Sequence, residues 1–222
     1  SSYKVLKLNP EIIIVSLWKS CLSAMIIKFL RPNIKIILFL HSSKSFHFID
    51  YLLNFVISRN AFEVWGDSLT TIQKRGKELK LRKHIKKKVI NLVAYKLNAN
   101  ISNQFELNFI FWGRIANVKR IDLAIKLFHK ISQNYNYSKF KIIGPDCGCL
   151  SDLIKLRNNL NLRNSVEFLS PMSIEEIKKE AKNCSFFLQL SSDEGLGMSV
   201  LESMQIGLIP IVTNVGEIRN YC

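Results

Sequence analysis

Short apolar runs alternate along the chain with longer stretches in which apolar residues recur every three or four positions. The first pattern marks strands buried on both faces, and the second marks amphipathic helices. Residues 11–17 (E-I-I-I-V-S-L) read as a strand, and 19–30 as a helix that Pro32 ends. A second strand spans 34–40 and stops at His41, followed by a helix over 46–58 and a strand over 61–65. Asp67–Ser68 then offers an N-cap for a helix running to about 85, with a strand over 88–94. This is βαβα order, and continuously apolar strands are what a parallel sheet requires.

Around 95–105 the sequence turns polar and rich in Asn (Y-K-L-N-A-N-I-S-N-Q-F), which reads as a linker. Alternation resumes with strands over 107–112, 139–143, 166–169, 186–190 and 209–213. Helices are predicted over 118–131, 150–160, 173–182 and 197–206, the third opened by a Ser173…Glu176 capping box. The prediction is an α/β chain of two tandem Rossmann-like, doubly wound domains, 1–95 and 107–222, joined by a linker over 96–106. Ligands of such folds sit at the carboxyl ends of the strands, so the loops after strands are where chemistry is sought.

Composition narrows the function classes. The 222 residues are 48% apolar, which excludes a disordered chain, and no apolar run approaches the ~18 residues needed to span a bilayer. The net charge of +15 is unevenly placed: residues 1–100 carry 18 basic and 5 acidic side chains, and residues 101–222 carry 14 and 12. Nine of the basic residues fall between Lys74 and Lys88. Leu69, Ile72, Gly76 and Leu79 recur there at helical spacing, so one basic amphipathic helix would display Lys74, Lys77, Arg82, Lys83, Lys86 and Lys87. Such a helix suits an anionic membrane surface. Nucleic acid is disfavoured as a partner, because no stacking-aromatic signature accompanies the charge. Five scattered cysteines, Cys21, Cys147, Cys149, Cys184 and Cys222, point to a reduced, cytoplasmic setting. Cys147 and Cys149 lack a second ligand pair, so no metal site is expected.

Two strand-end loops carry the candidate chemistry. After the 186–190 strand comes S-S-D-E-G-L-G-M-S-V-L-E. Gly195 and Gly197 let backbone approach a ligand closely, and the helix start beyond them favours a phosphate. Glu194 in the loop and Glu202 along the helix could hold the two sugar rings of a nucleotide-sugar. After the 107–112 strand, Gly113–Arg114 leads to Lys119, two cations suited to a diphosphate leaving group.

G-R-I-A-N-V-K-R, F-K-I-I-G-P-D, S-V-E-F-L-S and E-G-L-G-M-S-V-L-E-S-M-Q-I-G-L-I-P-I-V-T-N-V-G-E occur in this order. Together they resemble the C-terminal domain of retaining GT-B glycosyltransferases of glycosyltransferase family 4. P-E-I-I-I-V-S-L, the strand ending in His41 and E-V-W-G-D-S-L-T-T resemble the later part of that family's acceptor domain more loosely. The resemblance implies that Arg114, Lys119, Gly195, Leu196 and Gly197 bind the donor diphosphate, and that Glu202 binds the ribose. It implies that Glu194 contacts the transferred sugar and that His41 lies beside it, with His47 and Asp50 as weaker candidates near by. It further implies retention of anomeric configuration with no required metal, and a saccharide or lipid-linked acceptor. An epimerase-like or non-catalytic nucleotide-sugar-binding protein is the alternative. Measured against that family, both domains are expected to be incomplete at the chain ends, the chain being part of a longer enzyme.

Overall fold

The computed structural model describes residues 2–90, 97 and 105–222. The chain divides into two compact units, Ser1–Leu92 with Glu194–Leu196, and Val93–Asp193 with Gly197–Cys222.

The first unit runs α1 (Ser2–Leu8), β1 (Ile12–Ser16), α2 (Leu17–Leu30), β2 (Lys35–Leu40), α3 (Phe48–Asn60), β3 (Glu63–Gly66), α4 (Leu69–Glu78) and β4 (Lys86–Val89). All pairings are parallel, in the order β1-β2-β3-β4. The interior strand β2 is buried at five successive positions after Lys35, as its unbroken K-I-I-L-F-L run demands. Ile36 and Leu38 pack with Cys21, Ala24 and Ile27 of α2 and with Leu53 and Ile57 of α3. The α1 helix was not foreseen in the sequence pattern.

The second unit runs β5 (Phe109–Trp112), α5 (Ile121–Ser132), β6 (Phe140–Ile143), α6 (Leu150–Asn159), β7 (Val166–Leu169), α7 (Ile174–Glu180), β8 (Phe186–Gln189), α8 (Met198–Gln205) and β9 (Ile209–Val212). Its parallel sheet has the order β7-β6-β5-β8-β9. Phe109 and Phe111 of β5, Phe128 of α5, Phe140 of β6 and Phe187 of β8 are fully buried and form its aromatic centre. The capping box stands as predicted: Ser173 Oγ accepts from the Glu176 N–H, and the Ser173 N–H donates to Glu176 Oε2 at 2.8 Å.

The basic run departs most from expectation. The helix predicted to reach about 85 ends at Glu78, so Lys74 and Lys77 lie on it while Arg82 and Lys83 lie in the turn beyond and Lys86 and Lys87 in β4. Two causes act together. Lys80 takes φ +46, which closes the helix, and β4 pairs with β3 in the register Glu63↔Lys86, where Lys86 and Lys88 both bridge the Glu63 carboxylate. Arg75, within the same run, is only 3% exposed and belongs to the core side of α4. The predicted linker over 96–106 falls mostly outside the described residues, as does the end of the strand predicted over 88–94.

Candidate functional site

In the second sheet, the chain leaves β5 toward β6 on one side and returns at β8 on the other. The carboxyl ends of β5 and β8 therefore flank a topological switch point, the place where a parallel sheet opens a crevice for a ligand. Gly113–Arg114 follows β5, and Ser191–Ser192 follows β8. The two segments are tied together: the Ser192 N–H donates to the Val118 carbonyl at 2.8 Å, and its hydroxyl reaches the same oxygen at 3.3 Å.

Lys119 was placed at the start of a helix; it ends a 3₁₀ turn, Asn117–Lys119, and α5 begins two residues later. Its aliphatic stem passes Gly113, where a Cβ would stand 4.0 Å from Lys119 Cε. Gly113 and Gly144 adopt φ +143 and +151, conformations that favour glycine. They bring the loops after β5 and β6 into direct contact, sealed by Ile115 N–H to Pro145 O at 2.8 Å. Arg114 is exposed at this edge.

The helix α8 starts at Gly197, which caps it at φ +75, with Tyr221 Oη donating to the Gly197 carbonyl at 3.2 Å. Ser199 Oγ donates to Gln189 Oε1 at 2.9 Å, joining the start of α8 to the end of β8 in the buried interior. Farther along α8, Glu202 Oε2 accepts from Trp112 Nε1 at 2.8 Å. Sequence reasoning overlooked Trp112. Its only signal was a large amphipathic ring at the last position of a wholly apolar strand. The indole fixes one carboxylate oxygen of Glu202 and leaves the group oriented.

His41 lies at the carboxyl end of the first sheet, immediately after β2, its imidazole against the Phe39 ring at a centroid distance of 4.4 Å. Beside it, Asp67 follows β3, its N–H donating to the Leu40 carbonyl at 3.1 Å. Asp67 was read as a helix cap together with Ser68, yet Ser68 Oγ is the atom that accepts from Thr71 N–H. The Asp67 side chain is 8% exposed, and its Oδ1 has no hydrogen-bond partner. Burial pushes its carboxyl above the usual range, against hydrogen bonds from Thr71 and Ser68. Burial lowers the pKa of His41, and the Asp67 carboxylate works against that shift. Glu194, Gly195 and Leu196 group with this unit, and a Cβ at Gly195 would stand 2.9 Å from Asp67 Oδ2 and 3.1 Å from the His41 carbonyl oxygen. Asp67→Asn is expected to remove the raising influence and move the His41 titration to lower pH. An imidazole proton–nitrogen NMR titration of the two proteins measures this.

His47 and Asp50 have structural roles. His47 Nδ1 accepts from the Asp50 N–H at 3.1 Å and caps α3, while the Asp50 carboxylate pairs with buried Arg75 at 3.4 Å. Arg75 also bridges Glu78 at 2.7 Å and donates to Ser45 Oγ, in the loop that follows His41.

Among the described residues, no cluster of three His, Cys, Asp or Glu side chains is arranged to hold a metal ion, and no helix is long and apolar enough to cross a membrane.

The chain is similar to several known proteins. It is 28% identical over 105 residues to GDP-mannose:cellobiosyl-diphosphopolyprenol alpha-mannosyltransferase of Komagataeibacter xylinus, covering 47% of this chain and 27% of that one. Among solved structures it matches HepE of Anabaena in complex with UDP, with TM-score 0.78 and 16% identity over 100% of this chain and 65% of HepE. It matches TarM with TM-score 0.78 and 17% identity over 98% of this chain and 45% of TarM. The chain thus spans about a quarter of the mannosyltransferase and under two thirds of HepE. These structural likenesses establish the GT-B fold of two parallel α/β units. Residues 97–222, more than half of the chain, match glycosyl transferases group 1. On that match, with the fold in agreement, the chain belongs to the glycosyl transferases group 1 family.

Proposed function

We propose that the chain is the donor-binding half, with part of the acceptor half, of a retaining glycosyltransferase. It would move a sugar from a nucleotide-sugar to a saccharide or lipid-linked acceptor in cell-surface polysaccharide or glycolipid synthesis. The observation that carries this reading is the edge of the second sheet, where Arg114, Lys119 and Glu202 are set around the β5–β8 switch point. The GDP-mannose in the mannosyltransferase's name and the UDP bound in the HepE structure agree with it.

In this reading the donor's ribose hydroxyls donate to the Glu202 carboxylate, which the Trp112 indole holds in place. The diphosphate lies toward the start of α8, whose exposed N–H groups and positive dipole end favour anionic charge. Gly195, Leu196 and Gly197 let its oxygens approach backbone. Arg114 and Lys119 offset the charge that develops as the bond from the sugar to the diphosphate breaks. With two cations in that role, no metal is required. The acceptor oxygen bonds to the anomeric carbon on the face the diphosphate leaves, and its proton passes to a departing phosphate oxygen. Glu194 and His41 would contact the transferred sugar.

Calorimetric titration with UDP-glucose and GDP-mannose tests the donor assignment. Glu202→Ala is expected to weaken whichever donor binds about tenfold or more, the worth of hydrogen bonds to a charged partner. Trp112→Phe, which keeps the ring and loses the N–H donor, should weaken it less, about threefold to tenfold. Unchanged donor affinity in Glu202→Ala overturns the ribose assignment. Donor binding with neither hydrolysis nor transfer would favour the alternative of a non-catalytic nucleotide-sugar-binding protein, and epimerisation of the donor sugar the epimerase-like one.

A further inference from the structure

The positive charge of the first unit is organised around the sheet rather than along a helix. At the opening edge, where β1–β4 begin and α2–α4 end, Lys35 is the first residue of β2 and Lys86 the first of β4. Lys80, Arg82 and Lys83 fill the connection from α4 to β4, and all five side chains are exposed.

Not every cation here is available. Lys28 donates to the Pro32 and Ile34 carbonyls, and Arg59 to those of Leu79 and Lys80, so these half-buried groups satisfy backbone at helix ends. The five exposed cations fall outside that explanation. Carboxylates balance them only in part: buried Glu63 is shared between Lys86 at 3.7 Å and Lys88 at 2.9 Å, leaving Glu11 as the exposed acid of this edge among the described residues. Four strands about 4.8 Å apart give the edge a width of about 14 Å.

Apolar surface accompanies the charge. Phe62, at the start of β3, is 52% exposed with Lys35 Nζ 5.1 Å from its ring centroid, and Phe29, at the end of α2, is 85% exposed. Cations flanking exposed rings at one end of a sheet match an interface with anionic headgroups and a shallow acyl layer. A single-stranded nucleic acid would need successive bases stacked along a groove, and one ring already covered by a lysine does not provide that.

We propose that the opening edge of the first sheet docks on an anionic lipid surface, through Lys35, Lys80, Arg82, Lys83 and Lys86 with Phe62 and Phe29 entering the headgroup layer. The strands then point away from the lipid. His41 lies six residue steps along the strand direction from Lys35, which sets the acceptor-side edge about 20 Å above the headgroups.

Vesicle co-sedimentation of the whole chain tests this, comparing phosphatidylcholine alone with phosphatidylcholine containing about 30% phosphatidylglycerol at about 150 mM salt. The chain should partition onto the anionic vesicles and not the neutral ones. Lys80→Glu/Arg82→Glu/Lys83→Glu should lower the partition coefficient about tenfold or more. Lys126→Glu/Lys130→Glu/Lys182→Glu, an identical charge change on exposed positions of the second unit, should leave it within about twofold. Lys35→Glu/Lys86→Glu, at the first residues of β2 and β4, gives a second arm should the turn variant fail to fold by circular dichroism. Equal losses in the two triple variants would reduce the effect to net charge and overturn the proposal. So would binding to neutral vesicles at the same strength, or tighter binding to a uridine 20-mer than to anionic vesicles with the same variants affecting it.

Discussion

Gly144→Ala is expected to destabilise the second unit by about 3 kcal/mol or more, a value reached when a side chain meets backbone that cannot move aside. A Cβ at Gly144 would overlap the Gly113 carbonyl oxygen and stand 2.8 Å from its carbonyl carbon. Relief requires prising the loop after β5 from the loop after β6, which breaks the Gly113 N–H to Ile143 O and Ile115 N–H to Pro145 O bonds. For a domain of this size the thermal midpoint should fall by about 6–12 °C. Donor affinity should fall with it, because Arg114 is carried on the displaced segment. Gly148→Ala is the control: it also has a positive φ, +92, but no heavy atom lies within 4 Å of the new Cβ. It should cost about 1 kcal/mol of backbone strain and leave binding intact. Scanning calorimetry of the three proteins separates clash from strain, and a Gly144→Ala midpoint equal to that of Gly148→Ala would refute the packing account.

Arg75→Met should cost the first unit about 3–5 kcal/mol, the range found when one partner of a buried ion pair is removed. The substitution preserves volume and removes the guanidinium, stranding the Asp50 carboxylate at 4% exposure. Asp50 would keep its bonds from Asn54 Nδ2 at 2.7 Å and the Phe46 N–H at 3.0 Å, which satisfy oxygens without neutralising the charge. Ser45 Oγ and Glu78 would lose Arg75, leaving the Ser45 N–H to Glu78 Oε1 bond at 3.2 Å as the weaker tie on the loop leading from His41 to α3. Adding Asp50→Asn to Arg75→Met should restore part of the loss, since no unpaired buried charge remains. Denaturant unfolding of the single and double variants measures the difference. A double variant no more stable than Arg75→Met would show that hydrogen-bond geometry, and not charge, holds the loop.

Much of the architecture was legible because apolar runs such as K-I-I-L-F-L and F-I-F-W admit few environments other than the interior of a parallel sheet. The Ser173…Glu176 capping box was legible for a local reason, both partners lying within one turn. The basic run was misread because helical spacing of Leu69, Ile72 and Leu79 carries no record of the β3–β4 register, and it is that register which draws Lys86 and Lys88 to Glu63. Arg75 shows the same limit: its three partners lie at positions 45, 50 and 78, and a guanidinium buried by distant contacts looks in sequence like any other surface cation. At the candidate site, Arg114, Lys119 and Glu202 were proposed from strand-end position and motif. Trp112 went unremarked and Asp67 was read only as a cap, because what sets them apart depends on what faces them, a Glu202 oxygen 90 residues away in one case and an unpartnered buried Oδ1 in the other.

The strand order of the second unit also governs when its binding edge comes into being. β5 takes β6 as a neighbour after one short crossover, but its other neighbour is β8, which begins at Phe186. As the chain leaves the ribosome, β5, α5, β6, α6 and β7 can condense early from contacts close in sequence, carrying Arg114 and Lys119 with them. The other wall waits for Ser191–Ser192 and α8 and closes a loop of some seventy residues, a slow step set by topology. Until then the apolar flank of β5 that receives Phe187 has no cover, and in the nascent chain this is the surface most in need of protection from association.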